Sequence, residues 1–200
     1  MPDTTRQLSN AKLPTKWGEF RALGFERRVG EKVETAVALV MGDLSQGTPL
    51  VRIHSECLTG DVFGSQRCDC GEQFETAMQA IADEGSGLLI YERQEGRGIG
   101  LMAKLQAYEL QDQGMDTVEA NQHLGYAVDA RDYVLPAEIL LALNVCRVRL
   151  MTNNPKKVEA VEKAGVKVEE RMACEVKPGK HDIFYLKTKK QKMGHHLTLV

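Results

Sequence analysis

The chain has 200 residues, the size of one domain, and its 42% hydrophobic and 27% charged residues support a packed core while excluding collagen-like, coiled-coil and disordered classes. With 26 Lys and Arg against 28 Asp and Glu the net charge is -2, so the chain as a whole is no electrostatic footprint for nucleic acid. An anionic ligand therefore needs a local basic site.

The polar start, Met1 to Trp17, lacks a signal-peptide core, and the longest clean apolar run, Ala36 to Met41, is too short to span a bilayer. A cytoplasmic protein with no membrane partner is expected. Trp17 to Arg28 and Lys32 to Met41 favour antiparallel strands joined at Gly30-Glu31, and Leu50 to Ser55 adds a third. Phe74, Ala77, Met78 and Ile81 fall at helical spacing between Gly71 and Gly85. Leu88 to Tyr91 reads as a short buried strand that ends at the glycine cluster Gly96, Gly98 and Gly100. A helix over Leu101, Leu105 and Tyr108 closes at Gly114, and Asp116 or Thr117 caps another. Strand signals return at Val145 to Met151; a helix opened by Pro155, a glycine stop and a further strand complete a βαβ unit. The lysine-rich tail begins loop-like at Pro178 and ends amphipathic. The expected fold is α+β, a single domain over residues 1–200 with a mixed β-sheet and surrounding helices, and residues 171–200 as a candidate mobile tail.

Five cysteines are an odd count for a disulfide framework in such a chain, and Cys57, Cys68 and Cys70 lie among Ser, Asp, Arg, Gln and Gly rather than in the apolar company of cysteines buried for packing. Metal ligation is favoured over inert thiols. Three thiolates suit zinc and leave a fourth tetrahedral position for water, which suggests catalysis, with His54 the nearest competitor as a fourth ligand. In YERQEGRGIGL the dinucleotide pattern fails because Leu101 stands where a glycine is required. Glu95 and Arg97 around Gly96 present one acceptor and one fork of donors, suited to guanine, against the alternative of a surface salt bridge. Thr152, Asn153, Asn154, Lys156 and Lys157 sit at a strand-to-helix junction, where backbone N–H groups and the helix dipole favour phosphate. Asp129 and Arg131 converge on one side if their segment is extended; on spacing alone a surface ion pair is the commoner outcome and is favoured.

Together RIHSECLTGD, CDCG, RQEGRGIGL, LQDQGMDTVEAN and TNNPKK resemble the GTP cyclohydrolase II family from about Leu13 to Glu170. The resemblance implies zinc on Cys57, Cys68 and Cys70, and GTP contacts from Arg52, Ile53, His54, Ser55, Glu56, Gln73, Glu95, Gly96, Arg97, Thr117, Thr152 and Lys157. It implies Asp129 as proton acceptor and Arg131 as nucleophile, although a guanidinium is a poor nucleophile while protonated and Arg131 could instead stabilise charge in transit. The implied reaction opens riboflavin synthesis: C8 of guanine leaves as formate, the terminal phosphates leave as diphosphate, and a diaminopyrimidine ribosyl monophosphate remains. Magnesium is expected on the triphosphate, and a homodimer is the family's usual assembly. Two rivals stand against this, a zinc-stabilised nucleic-acid module, opposed by charge and ligand count, and a nicotinamide oxidoreductase, opposed by Leu101.

Overall fold

Long strands dominate the first part of the chain, and in residues 18–41 β-branched and aromatic residues favour extended backbone. In the computed structural model, which describes residues 4–200, β1 (Thr4–Thr15), β2 (Gly18–Val29) and β3 (Lys32–Met41) form an antiparallel meander. There follow β4 (Leu50–Ser55), α1 (Leu58–Asp61), α2 (Cys70–Glu84), β5 (Gly87–Glu92) and a tight helical turn, Glu95–Gly98. The chain continues through α3 (Leu101–Asp112), α4 (Thr117–His123), α5 (Val134–Ala142), β6 (Arg147–Met151), α6 (Pro155–Lys163), β7 (Lys167–Met172) and α7 (Ile183–Met193). The strands make one mixed seven-stranded sheet in the order β1-β2-β3-β5-β4-β6-β7. Pairing is antiparallel from β1 through β3 to β5 and parallel across β4, β6 and β7, an α+β fold as the sequence predicts.

Internal contacts gather the chain into two compact units: one takes in the chain up to His54 with Glu75–Arg93 and Asp132–Cys174, the other Ser55–Phe74, Gln94–Arg131 and Glu175–Val200. The first unit holds the sheet. Leu88, Leu89 and Ile90 of β5 are all fully buried, as befits an interior strand covered on both faces. With Phe25, Ala38, Ile53 and Leu150, Leu88 and Ile90 join one core cluster with Leu135, Ile139 and Leu140 of α5 and Val161 of α6. Two of its elements escape the sequence reading. The edge strand β1 is polar and mostly exposed, held by its backbone ladder to β2 rather than by buried side chains. The other, α5, buries Leu135, Pro136, Ala137, Ile139 and Leu140 but also carries Val134 and Leu141 on its exposed side, so its sequence shows no amphipathic period, and its proline is tolerated in the first turn. The expected βαβ unit is present as β6-α6-β7, with Asn154 capping α6 by accepting from the Lys156 N–H at 3.0 Å and Pro155 following it.

In the second unit Asp116, not Thr117, caps α4, and its reciprocal bonds with Glu119 complete a capping box. The tail contributes α7, which buries Leu186 and ends at Gly194 in the left-handed conformation. Among the described residues no helix is long and apolar enough to cross a membrane.

Candidate active site

Cys57 immediately precedes α1, Cys68 precedes α2, and Cys70 begins α2, so two short backbone segments bring the three thiols together. Their sulfurs lie within 4.8 Å of one another, Cys57 Sγ and Cys68 Sγ being 3.6 Å apart. Gly60 is required at this approach: a Cβ there would stand 3.0 Å from Cys68 Sγ and 3.2 Å from Cys57 Sγ. Gly71 is equally constrained, since its Cβ would meet the Gly60 carbonyl at 2.5 Å. Among the described residues these cysteines form the only cluster able to hold a metal; His54 is outside it and stacks on Tyr91 within the first unit, rings 5.5 Å apart. Cys146 and Cys174 also stand outside it.

The electrostatics of the cluster favour thiolate at one sulfur. Hydrogen bonds from Cys68 and Cys70, helped by the Lys104 ammonium, hold the Cys57 thiol far below its ordinary range, while Cys57 in turn pushes Cys68 up to about 11 and, with Cys68 and burial, pushes Cys70 well above its ordinary value. Lys104 Nζ donates to Cys57 Sγ at 3.1 Å and to Glu95 Oε1 at 2.8 Å, in a buried position. Burial alone would lower its pKa; Cys57 and Glu95 raise it instead. Three clustered sulfurs with a buried compensating ammonium form a donor set that fits a thiophilic dication such as zinc, whose charge three thiolates overcompensate.

These cysteines open onto a cavity. Ser55, Glu56, Glu95, Gly96, Arg97, Thr117 and Arg131 also line it, which gathers most of the sequence-predicted site residues of the second unit. Glu95 is almost used up internally: its Oε1 also accepts from the Gly96 N–H at 2.7 Å, and its Oε2 accepts from the Leu58 N–H at 2.7 Å. Gly96 and Arg97 both adopt the left-handed region, φ 62°, a conformation unusual for a bulky side chain. The segment after α4 belongs to no helix or strand, and within it the Arg131 N–H donates to Asp129 Oδ1 at 3.2 Å. Arg131 Nε donates to Asp129 Oδ1 and Arg131 NH2 to Asp129 Oδ2, both at 2.8 Å, and both side chains are largely buried, so the pair is not a surface ion pair. Gln73 donates to Asp69, the residue between Cys68 and Cys70.

The remaining predicted residues belong to the first unit, where each has a scaffold partner. Arg52 donates to the Met151 carbonyl at 3.0 Å, and the Thr152 hydroxyl accepts from the Asn154 N–H at 3.0 Å. Lys157 Nζ donates to the Ile53 carbonyl at 2.9 Å and lies 5.2 Å from the centre of the Tyr133 ring.

Lys104, Tyr108 and Tyr185 line the cavity without having been singled out from sequence. A signal for the first two existed: they are four residues apart on α3, on the face that buries Ala103 and Ala107. Burial pushes the Tyr108 phenol up to about 12. Tyr185, on α7, carried no such signal.

The family model for GTP cyclohydrolase II matches residues 5–173. The chain belongs to the GTP cyclohydrolase II family. A GTP cyclohydrolase-2 of Buchnera aphidicola subsp. Acyrthosiphon pisum is 53% identical over 192 residues, covering 96% of this chain and 98% of that protein. Those of Shigella boydii serotype 18 and Escherichia coli O9:H4 are each 53% identical over 193 residues, covering 96% of this chain and 97% of theirs. Membership makes the chain an enzyme of the hydrolase class, and the predicted motifs all fall inside the matched segment. GTP cyclohydrolase II similarity of this kind leaves α7 outside the family model, although Tyr185 lines the same cavity.

Proposed function

We propose that this chain hydrolyses GTP to formate, diphosphate and a diaminopyrimidine ribosyl monophosphate, the first step of riboflavin synthesis, with Cys57, Cys68 and Cys70 holding one zinc ion. The observation that carries the reading is that the thiol cluster and Arg131, itself paired with Asp129, line one cavity in a chain of this family. Zinc held there supplies an electrophilic centre for hydrolysis at the guanine ring. Lys104 offsets the surplus thiolate charge and keeps the Cys57 sulfur oriented. Arg97 presents its fork of donors to acceptor atoms of the substrate, and Glu95 holds the loop at Leu58 and the ammonium of Lys104.

At the triphosphate, accompanied by magnesium, Asp129 and Arg131 act as a unit. Asp129 accepts hydrogen bonds from both Nε and NH2 of Arg131, the protons that must leave for a guanidine nitrogen to attack the α-phosphorus. In that step the nitrogen–phosphorus bond forms as diphosphate departs, the proton passes to Asp129, and water later cleaves the nitrogen–phosphorus bond to leave the monophosphate. The test is incubation of zinc-replete protein with GTP and magnesium. Formate, diphosphate and a pyrimidine chromophore are expected; absence of all three refutes the reading.

A further inference from the structure

Arg97 is a cation in want of a partner. It is only 9% exposed, and both its NH1 and NH2 are buried without a hydrogen-bond acceptor among the described residues. Its backbone is held in the left-handed region by the Gly98 N–H to the Gln94 carbonyl, the Gly100 N–H to the Glu95 carbonyl, and the Ala130 N–H to its own carbonyl. A buried guanidinium kept in a strained conformation with its fork unsatisfied is the mark of a group waiting for acceptor atoms. What it does touch is Tyr185 of α7, whose ring centre lies 5.4 Å from its Cζ. The same ring has Lys189 Nζ at 4.6 Å, and Lys189 is paired at 2.7 Å with Asp69, between the two thiols Cys68 and Cys70. Asp69 is 2% exposed, so this anchor is buried.

We infer that the C-terminal helix is part of the substrate site, Tyr185 being a positioning residue that orients the Arg97 fork toward the substrate's acceptor atoms, with the Lys189–Asp69 pair docking the helix. This rests on the GTP reading above and adds to it a residue outside the matched family segment. The ring face satisfies the guanidinium electrostatically without consuming any N–H, so the fork stays available in a way that a carboxylate partner would forbid. The second cation on the ring is tolerated because Asp69 neutralises it.

The test uses zinc-loaded, full-length protein and two readouts: calorimetric titration with a non-hydrolysable GTP analogue, and the KM and kcat of formate release. Tyr185→Leu is expected to raise Kd and KM about tenfold with kcat little changed, and Tyr185→Phe to behave as wild type, since the ring carries the effect. In an Arg97→Met background Tyr185→Leu should add almost nothing. Unchanged affinity in Tyr185→Leu, an additive loss in the Arg97→Met background, or a Phe variant as weak as the Leu variant would each overturn the inference. Should Tyr185→Leu fold poorly, phenylalanine and then pentafluorophenylalanine at position 185 keep the shape while reversing the ring's electrostatics; Kd should rise along that series, and a flat series refutes the role. Wild type that neither binds the analogue nor releases formate removes the GTP reading itself, whereas active wild type with a flat series removes only the assignment of Tyr185.

Discussion

Lys104→Met keeps the stem of the side chain and removes the ammonium that joins Cys57 Sγ, at 3.1 Å, to Glu95 Oε1, at 2.8 Å. Both members of the carboxylate pair are about nine-tenths buried, 11% and 9% exposed, so solvent screens little. Breaking such a pair on one side costs about 3 to 5 kcal/mol, because the surviving charge stays buried without compensation. At about 2 to 4 °C per kcal/mol for a chain this long, the melting temperature should fall by about 6 to 20 °C. In metal-free protein the Cys57 thiol escapes part of the penalty by taking up a proton, whereas with zinc bound all three sulfurs stay charged. The loss should therefore be larger for the loaded protein, and zinc affinity should drop about 10- to 100-fold, as it does when groups that support metal ligands are removed. Thermal melts with and without zinc, and competition against a chromophoric chelator, measure both quantities. Combining Lys104→Met with Glu95→Gln should show a coupling of about 1 to 3 kcal/mol, since the two groups contact each other directly. Unchanged zinc affinity together with additive melting shifts would refute the bridging role.

Cys68→Ser should lose zinc, measured by elemental analysis, and lose formate release with it; a folded, zinc-free variant that releases formate at the normal rate would defeat the metal assignment. Arg131→Ala should retain its zinc yet block diphosphate release, and loss of formate as well would mean that ring opening depends on prior attack at phosphorus. Asp116→Ala removes the α4 cap at a cost of about 1 kcal/mol, seen as a drop in melting temperature of about 2 to 4 °C. Burial opposes it, but the Lys192 ammonium and the Glu119 and Val118 N–H groups hold the Asp116 carboxyl below its usual range, so this contribution is present above the ordinary carboxylate pKa and fades as pH falls through the lowered value. Lys157→Ala should cost about 1 to 3 kcal/mol by leaving the Ile53 carbonyl short of a donor, and should weaken GTP more than guanosine; equal weakening of both would confine this lysine to the scaffold.

Much of the fold was legible because the relevant signals are local. The strands β2 and β3, then α2, β5, α3 and the β6-α6-β7 unit, follow from apolar period and from glycine or proline punctuation. What escaped depends on company elsewhere in the chain. Nothing in the sequence of β1 marks it as a strand except that β2 offers it a long edge, as the eleven paired positions from Thr4 to Thr15 show. For α5 the pattern is hidden by excess, since a helix that carries Val134 and Leu141 even on its exposed side has no apolar period to read. At the site, the thiols were legible because cysteines in polar surroundings are rare outside chemistry. Lys104 was not, because a lysine in a helix is the commonest of surface residues, and only the two alanines beside it hint that this one faces inward.

Glu95 and Arg97 show how adjacent residues legible as one motif acquire different tasks. Their sequence suggests a matched acceptor and donor fork for guanine. In the fold, three N–H groups, from Leu58, Gly96 and Lys104, already converge on the Glu95 carboxylate, whose two oxygens offer about four acceptor positions, so one remains. Arg97, two residues on, has no hydrogen-bond acceptor for NH1 or NH2 among the described residues. Discrimination at this end of the cavity should accordingly depend more on acceptor atoms of the substrate, read by Arg97, than on donor atoms read by Glu95. Glu95→Gln is then an ambiguous probe of base reading, because its amide N–H2 must face either the Leu58 or the Gly96 N–H, donor against donor, and the loop shifts whatever the base does. Arg97→Lys separates the effects, since it retains the charge and loses only the fork. A GTP preference over ATP that survives Glu95→Gln but narrows in Arg97→Lys would assign base reading to the guanidinium; the reverse pattern would return it to the carboxylate.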